Sequence, residues 1–482
     1  LNWTRLFVPA IGLLAASCDL APKYHTPVVA VPVSYEEARP WQRAVPADTL
    51  PRGDWWSIYN DPLLNKLESR VDTANPDLAA EASVLDQARA LVAEAQAGLL
   101  PNIGIGAHVS ANRQSNRRPL RGRDQPNQYM DNGIDTQATY EIDFWDKIAN
   151  AVKAGKLSAS ATAADLETLR LSLHAELASD YFTLRGLDAL AALLARTVES
   201  YRQAAQLTQN RFAGKIASGI DVSRAEAQLD DAEAQASDIA ARRALSVHAI
   251  ATLIGVPPAD LSIPPQPVPV HVPVLEAGVP ATLLQRRPDI ASAERLVAAA
   301  NAEIGVVRAA FYPNISLNLV FGFQDTGFNM FSLPDSFWSV GPGLTLPLFE
   351  GGLRTAEVDA ARAAYLQAVA AYKATVLDAF AEVEDQLAEL HWLGNEQRQE
   401  DDSVAEAQKT LNMAINLYKD GATNFLDVVV AQTAELQAER NALDIRTRRV
   451  TASVSLIRAL GGGWDRTSLA EQRSPPVRAS QS

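Results

Sequence analysis

The chain holds a single cysteine, Cys18. One cysteine builds neither a disulfide framework nor a cysteine-rich metal site, so the chemistry left to it is covalent modification. The six histidines, His25, His108, His174, His248, His271 and His391, are scattered. No pair has the spacing of a metal-binding helix face, and no metal site is expected. No serine, cysteine or carboxylate set forms a catalytic constellation. No Walker-type glycine loop is present to bind a nucleotide. The remaining candidates flank two glycine-bearing turns: Arg211, Phe212, Gly214, Lys215, Ser218 and Asp221 at one, Tyr418, Gly421, Thr423, Asn424 and Asp427 at the other. Aspartates placed just after such turns cap the helices that follow.

Cys18 follows an apolar stretch, Leu6 to Ala16, preceded by Arg5 and ending in small residues. The stretch is shorter than the ~20 residues a membrane-spanning helix needs. It reads as a secretory signal over residues 1–17. Leu14-Ala15-Ala16-Ser17-Cys18 resembles a bacterial lipobox, in which the cysteine is lipidated and becomes the first residue of the mature chain. Residues 18–61 are then a lipid-anchored N-terminal segment. The lipid on Cys18 is the only attached group expected, with no cofactor. Ala15 departs from the usual leucine. Asp19 is a residue type that in some bacteria retains lipoproteins at the inner membrane.

The elements that position the two turns come from a tandem repeat. Asn75-Pro76-Asp77-Leu78 recurs as Arg287-Pro288-Asp289-Ile290. At the same offset Pro101-Asn102-Ile103 falls on Pro313-Asn314-Ile315, and further on Asn210, Asp221, Val222 and Ala225 align with Asn416, Asp427, Val428 and Ala431. The first repeat is placed at 62–255 and the second at 281–463. A proline-rich linker, 256–280, separates them and cannot continue a helix. A polar tail, 464–482, follows.

Each repeat opens with a moderate helix, Pro76 to Leu99 and Pro288 to Ala310. Two alternating segments follow. Ile103 to Ala111 pairs with a strand through Ile134, Thr136, Ala138, Tyr140, Ile142 and Phe144. Ile315, Leu317, Leu319, Phe321 and Phe323 pair with a strand running from Trp338 to Leu348. These are period-two strands with one apolar and one polar or small face. Long proline-free helical runs then extend from about 148 to 212 and from about 352 to 418, each roughly 95 Å or more in length. Shorter helices return from about 219 to 254 and from the second turn to about 460.

Apolar residues make up 47% of the 482 residues, and the formal charge is −14. That charge argues against nucleic acid and suits either a solvated surface or a lumen that admits cations. Four short strands cannot close a barrel, and membrane barrels need at least about eight. Three copies would supply twelve, and cyclic closure removes the sheet edges, so a homotrimer is expected. The fold class is therefore mainly α with a β membrane part: a trimeric twelve-stranded β-barrel, four strands per protomer, continued by a long α-helical barrel.

Three segments carry a family resemblance: Cys18 to Pro27, Trp55-Trp56-Ser57-Ile58-Tyr59-Asn60-Asp61-Pro62-Leu63, and Gln285-Arg286-Arg287-Pro288-Asp289-Ile290 with Ala309-Ala310-Phe311-Tyr312-Pro313. Together they resemble the outer-membrane efflux protein family, the TolC-like channels, in its lipoprotein branch serving resistance-nodulation-division pumps. The resemblance runs from Cys18 to about Trp464. It implies a homotrimer in the outer membrane of a Gram-negative bacterium, held by membrane lipid and extending into the periplasm. Its partners would be a periplasmic adaptor and an inner-membrane pump that supplies the energy. The cargo would be drugs or other toxic small molecules. Secretion of proteins or signal molecules, or a non-channel structural lipoprotein, are the alternatives. The resemblance also makes the two turns the periplasmic tips where adaptors dock. Lys215 stands where the family has glycine, with Gly214 one residue early, which predicts a first turn of different geometry. Asp427 matches one position of the family's acidic constriction; Val430 occupies the other, so no double acidic ring is expected.

Overall fold

The computed structural model describes residues 18–32, 34–37, 54–117, 119, 126–267, 272–273, 286–327 and 331–462. The expected signal segment 1–17, the tail 464–482, Gln285 and most of the second part of the linker lie outside the described residues.

Eleven helices and strands of regular length are arranged twice over among the described residues. The first repeat runs α1 (Pro62–Ala74), α2 (Pro76–Ala97), β1 (Asn102–Arg113), β2 (Gln128–Glu141), α3 (Lys147–Ala213) and α4 (Gly219–Leu253). The second runs α5 (Pro288–Ala309), β3 (Asn314–Asp325), β4 (Ser336–Thr345), α6 (Leu353–Lys419) and α7 (Phe425–Ala459). The repeat extends to helix length: α2 and α5 each have 22 residues, α3 and α6 each 67, and α4 and α7 each 35.

Compactness does not follow the repeat boundaries. One compact unit gathers the described residues within 1–28, 84–162 and 292–373, and the other those within 29–83, 163–291 and 374–482. Strand pairing explains the mixing in the first unit. The four strands form one antiparallel sheet in the order β1-β2-β3-β4, and its central pair, β2 with β3, joins the two repeats.

The register sorts side chains by chemistry. Ile105 lies opposite Thr136, Thr136 opposite Phe321, and Phe321 opposite Trp338. Ile103, Val109, Leu317, Leu319, Val340 and Leu344 share their parity, so one face is apolar. The other carries Gly106, His108, Asp135, Gln137, Asn318 and Ser339. The apolar face is uncovered: Ile105 is 77% exposed and Trp338 72%. An apolar patch of that extent marks an interaction surface. Polar-in and apolar-out alternation is the pattern of a strand set against lipid. Among the described residues no helix is long and apolar enough to cross a membrane.

Strand bounds differ from those expected at several places, among them the end of β2, which stops at Glu141, short of Ile142 and Phe144. β2 begins at Gln128, well before Ile134, because its polar start is held by backbone pairing with β1 out to Arg113 opposite Gln128. β4 ends at Thr345, short of Leu346 and Leu348. Pro347 lacks the N–H that a longer ladder needs.

In the other unit α1, not foreseen as a separate helix, packs on α3. Asp61 caps α1 by accepting from the Leu63 and Leu64 amides at 2.9 and 3.2 Å, and also accepts the Tyr181 hydroxyl at 2.6 Å. Buried Glu68 meets His174 Nδ1 at 2.7 Å, and Asp72 lies 3.4 Å from Nε2. Arg170 pairs with Asp72 at 2.9 Å, and Trp56 stacks on the imidazole with centroids 4.4 Å apart. An imidazole facing carboxylates from both nitrogens serves best as a double donor, which requires its proton. Burial opposes that charge, but the bonds to Asp72 and Glu68 prevail and push His174 up to about 9. Burial lifts Glu68 to about 7, against the pull of His174.

Two outcomes follow. Phe321→Arg, on the apolar face, is expected to cost about 2–4 kcal/mol of folding stability in lipid vesicles, read by denaturant titration, whereas Asn318→Arg on the opposite face costs far less. For His174 the folded state holds its proton more tightly than the unfolded chain, whose imidazole titrates near 6.5. Its stabilisation is then complete below that value and is lost as pH rises to about 9. The melting temperature of the native chain should fall across that interval. His174→Gln should flatten the fall, and an equally steep fall in the variant would remove His174 as its source.

Candidate functional site

The two long helices end in matching turns. At the first, Ile216 N–H donates to Arg211 O at 2.8 Å and Lys215 N–H to Phe212 O at 2.8 Å. At the second, Ala422 N–H donates to Leu417 O at 2.8 Å and Gly421 N–H to Tyr418 O at 3.1 Å. Both are Schellman ends, which place one residue in the left-handed region. That residue is Gly421 at φ +73° in one and Lys215 at φ +59° in the other. The expected difference in geometry is therefore absent. Lys215 takes the conformation that Gly421 adopts, and Gly214 beside it has no positive φ. The substitution is absorbed as backbone strain in the first turn, because the 6→1 and 5→2 bonds fix the local path.

The returning helices start alike as well. Ser218 is the N-cap of α4, its hydroxyl accepting the Asp221 amide at 3.3 Å while Asp221 accepts the Ser218 amide at 3.2 Å. This is a reciprocal capping box. Asn424 caps α7 by accepting the Asp427 amide at 3.3 Å, and the Asp427 carboxylate accepts the Thr423 hydroxyl. The caps are thus Ser218 and Asn424, and the two aspartates sit in the first turn, where the helix dipole favours negative charge. Asp427 remains exposed, as does Val430, at 61%.

One residue ties the two turns together. The Arg211 guanidinium lies 4.6 Å from the centre of the Tyr418 ring and donates to Tyr418 O at 3.1 Å. A cation there also meets the negative end of α6. Beneath it, Ala205, Ala225, Tyr418, Phe425 and Val428 form a buried cluster drawn from all four hairpin helices. Phe212, Ile216, Ile220, Leu426 and Val430 stay exposed around it. Neither Phe425 nor the Arg211–Tyr418 contact was foreseen. Their only sequence signal is position, an aromatic after the Asn424 cap and an arginine before the first turn. Cys18 belongs to the other compact unit, where it is exposed and unpaired, its N–H donating to Phe144 O at 3.1 Å.

Paired hairpins ending in apolar, acid-bearing turns, together with a sheet whose greasy face is bare, define a membrane channel component. The profile of the outer membrane efflux protein family matches residues 68–256 and 279–462, and the chain belongs to that family, one of transport proteins. The outer membrane protein OprJ of Pseudomonas aeruginosa is 31% identical over 460 residues, covering 94% of this chain and 95% of the relative. The probable efflux pump outer membrane protein TtgC of Pseudomonas putida is 30% identical, covering 97% and 98%. Among solved structures, the outer-membrane channel OprN superposes with a TM-score of 0.86 at 27% identity, over 93% of this chain and all of that one.

Replacing the strained residue gives a direct check. Lys215→Gly is expected to raise stability by about 1 kcal/mol by removing the left-handed penalty, seen as a higher denaturation midpoint. Gly421→Lys should lower it by a similar amount, and a neutral result for both would remove the strain.

Proposed function

We propose that three copies of this chain form the exit duct of a tripartite efflux system, anchored in the outer membrane by lipid on Cys18. The observation that carries this reading is the four-stranded sheet with its exposed apolar face and two unpaired outer edges. In hydrocarbon, edge N–H and C=O groups need partners, which neighbouring copies supply by closing a barrel. Twelve strands from three copies lie within the range of such barrels. The polar face then lines the lumen. A structural lipoprotein without a pore has no use for so greasy an exposed sheet.

The tips are the docking surface for a periplasmic adaptor. Exposed Phe212, Ile216, Ile220 and Leu426 offer apolar contacts, and Arg211, Lys215, Ser218, Thr423 and Asn424 offer polar ones. An inner-membrane pump of the resistance-nodulation-division type supplies energy and selects cargo, which we take to be drugs or other toxic small molecules. Asp427 serves the aperture: its carboxylate is exposed beside the α7 N-terminus, and three copies would present a ring of negative charge.

Single-channel recordings in planar bilayers test this. The native chain should give a small, cation-selective conductance, and Asp427→Ala should raise conductance and weaken the selectivity. Equal conductance in both would leave Asp427 a role only in helix starting. Silence from well-folded trimers of either form would end the channel reading.

A further inference from the structure

Residues 18–26 lie along one side of α5 as an extended strap, and the groove beneath them is built from buried polar groups. Asn150, Asn301 and Glu294 are 2%, 4% and 4% exposed. Each is bonded by the strap. Asn150 Nδ2 donates to Asp19 Oδ1 at 3.0 Å, Asn301 Nδ2 donates to Pro22 O at 2.7 Å, and the Tyr24 hydroxyl donates to Glu294 Oε1 at 2.8 Å. Arg308 donates to Leu20 O at 3.3 Å. Buried polar side chains carry a strong requirement for partners, and here three of them find one in the same nine residues.

Gly305 makes the passage possible. A Cβ at that position would stand 2.7 Å from Asn150 Nδ2 and 2.9 Å from the Ala21 nitrogen. Only a residue without a side chain lets the strap lie this close to the helix. Asp19 fixes the upper end. The same Oδ1 that takes the Asn150 amide accepts the Ala21 N–H at 2.9 Å, closing a tight local turn just after Cys18. Burial disfavours its charge, but those bonds and the nearby Lys153 ammonium more than offset it and hold the carboxyl below the usual range. Directly before it, the Cys18 amide is pinned to Phe144 O, next to the end of β2.

We infer that Asp19 is a positioning residue, which docks the N-terminal strap in the Asn150–Gly305–Asn301 groove and thereby fixes Cys18 at the foot of the sheet. This deepens the reading of Cys18 as the lipid-bearing residue and rests on it for its purpose. The anchor's place is then set by the folded protein and not by the lipid alone. The second-position acid is used within the fold, so the inner-membrane retention suggested by its residue type does not apply.

Hydrogen exchange of the strap amides, read on peptides from the purified full-length trimer, tests the inference. Asp19→Ala and Asn150→Ala should each speed exchange at Ala21 by roughly tenfold or more, as loss of the Asp19–Asn150 hydrogen bond implies. Asp19→Asn retains the accepting oxygen and should stay near native. Gly305→Val should release the whole strap. Protection of α6 and α7 amides, reported in the same digest, shows whether each variant is folded. Unchanged exchange in Asp19→Ala and Asn150→Ala would overturn the inference, and so would Asp19→Asn behaving like alanine. Membrane fractionation gives a second arm. Native and Asp19→Asn chains should divide alike between the membranes, and a native chain held at the inner membrane but freed by Asp19→Asn would overturn it too. The mass of the Cys18 peptide is read separately: absence of lipid there would sink the anchoring reading while the exchange data still decide the role of Asp19.

Discussion

A peptide N–H or C=O at the open edge of a sheet finds no water in hydrocarbon, and leaving it unpaired costs several kcal/mol. The first compact unit is arranged around that constraint. Its sheet presents Ile105, Phe321 and Trp338 on an uncovered face suited to lipid, yet β1 and β4 each keep one side without a partner strand. A lipid setting rewards the face and penalises the edges. Closure with further copies satisfies both demands; among the described residues all four strands of one chain are already used. The tandem repeat serves the same end. It supplies two hairpins, and the β2–β3 pairing welds them into one sheet, so each copy contributes a continuous arc and not two loose ribbons.

Much of this was legible. Long runs without proline marked α3 and α6 to within a residue or so, with only Gly155, Gly186 and Gly394 inside them as weak breakers. The aligned turns at Asn210 and Asn416 and at Asp221 and Asp427 announced two hairpins of equal build. Period-two alternation found the four strands. It failed at the start of β2, where Gln128, Asp131 and Asn132 belong to the strand through ladder bonds that hydrophobicity does not report. It also failed at α1, although Asp61-Pro62 carries both an N-cap and the proline favoured at the first helical position. The pattern of α1 was hidden because Pro76 begins another helix only two residues after Ala74, and a break so short reads as a single boundary.

The candidate site was legible in position and less so in mechanism. Ser218, Asp221, Asn424 and Asp427 lie at helix starts, as their types suggest, but the division of labour between cap and first turn depends on side-chain geometry. Lys215 shows the limit most clearly. A residue type disfavoured in a left-handed turn reads as evidence for another turn, yet the cost of holding it there, about 1–2 kcal/mol, is less than the cost of leaving the last carbonyls of a 67-residue helix without their Schellman partners. Contacts between residues far apart in the chain, such as Arg211 on Tyr418 and buried His174 with Glu68, left no periodic trace. They join residues 207 and 106 positions apart.

The same contacts bear on how the tips can move. Ala205 and Ala225 from the first hairpin share a buried cluster with Tyr418, Phe425 and Val428 from the second. Arg211 adds a cation over an aromatic face and a bond to the end of α6. Prising the two hairpins of one chain apart would expose that cluster and break both contacts together. The surfaces that oppose movement least are those already exposed, Phe212, Ile216, Leu426, Asp427 and Val430. Any opening or docking at this end would draw on those exposed side chains, because separating the two hairpins of one chain would break the buried contacts.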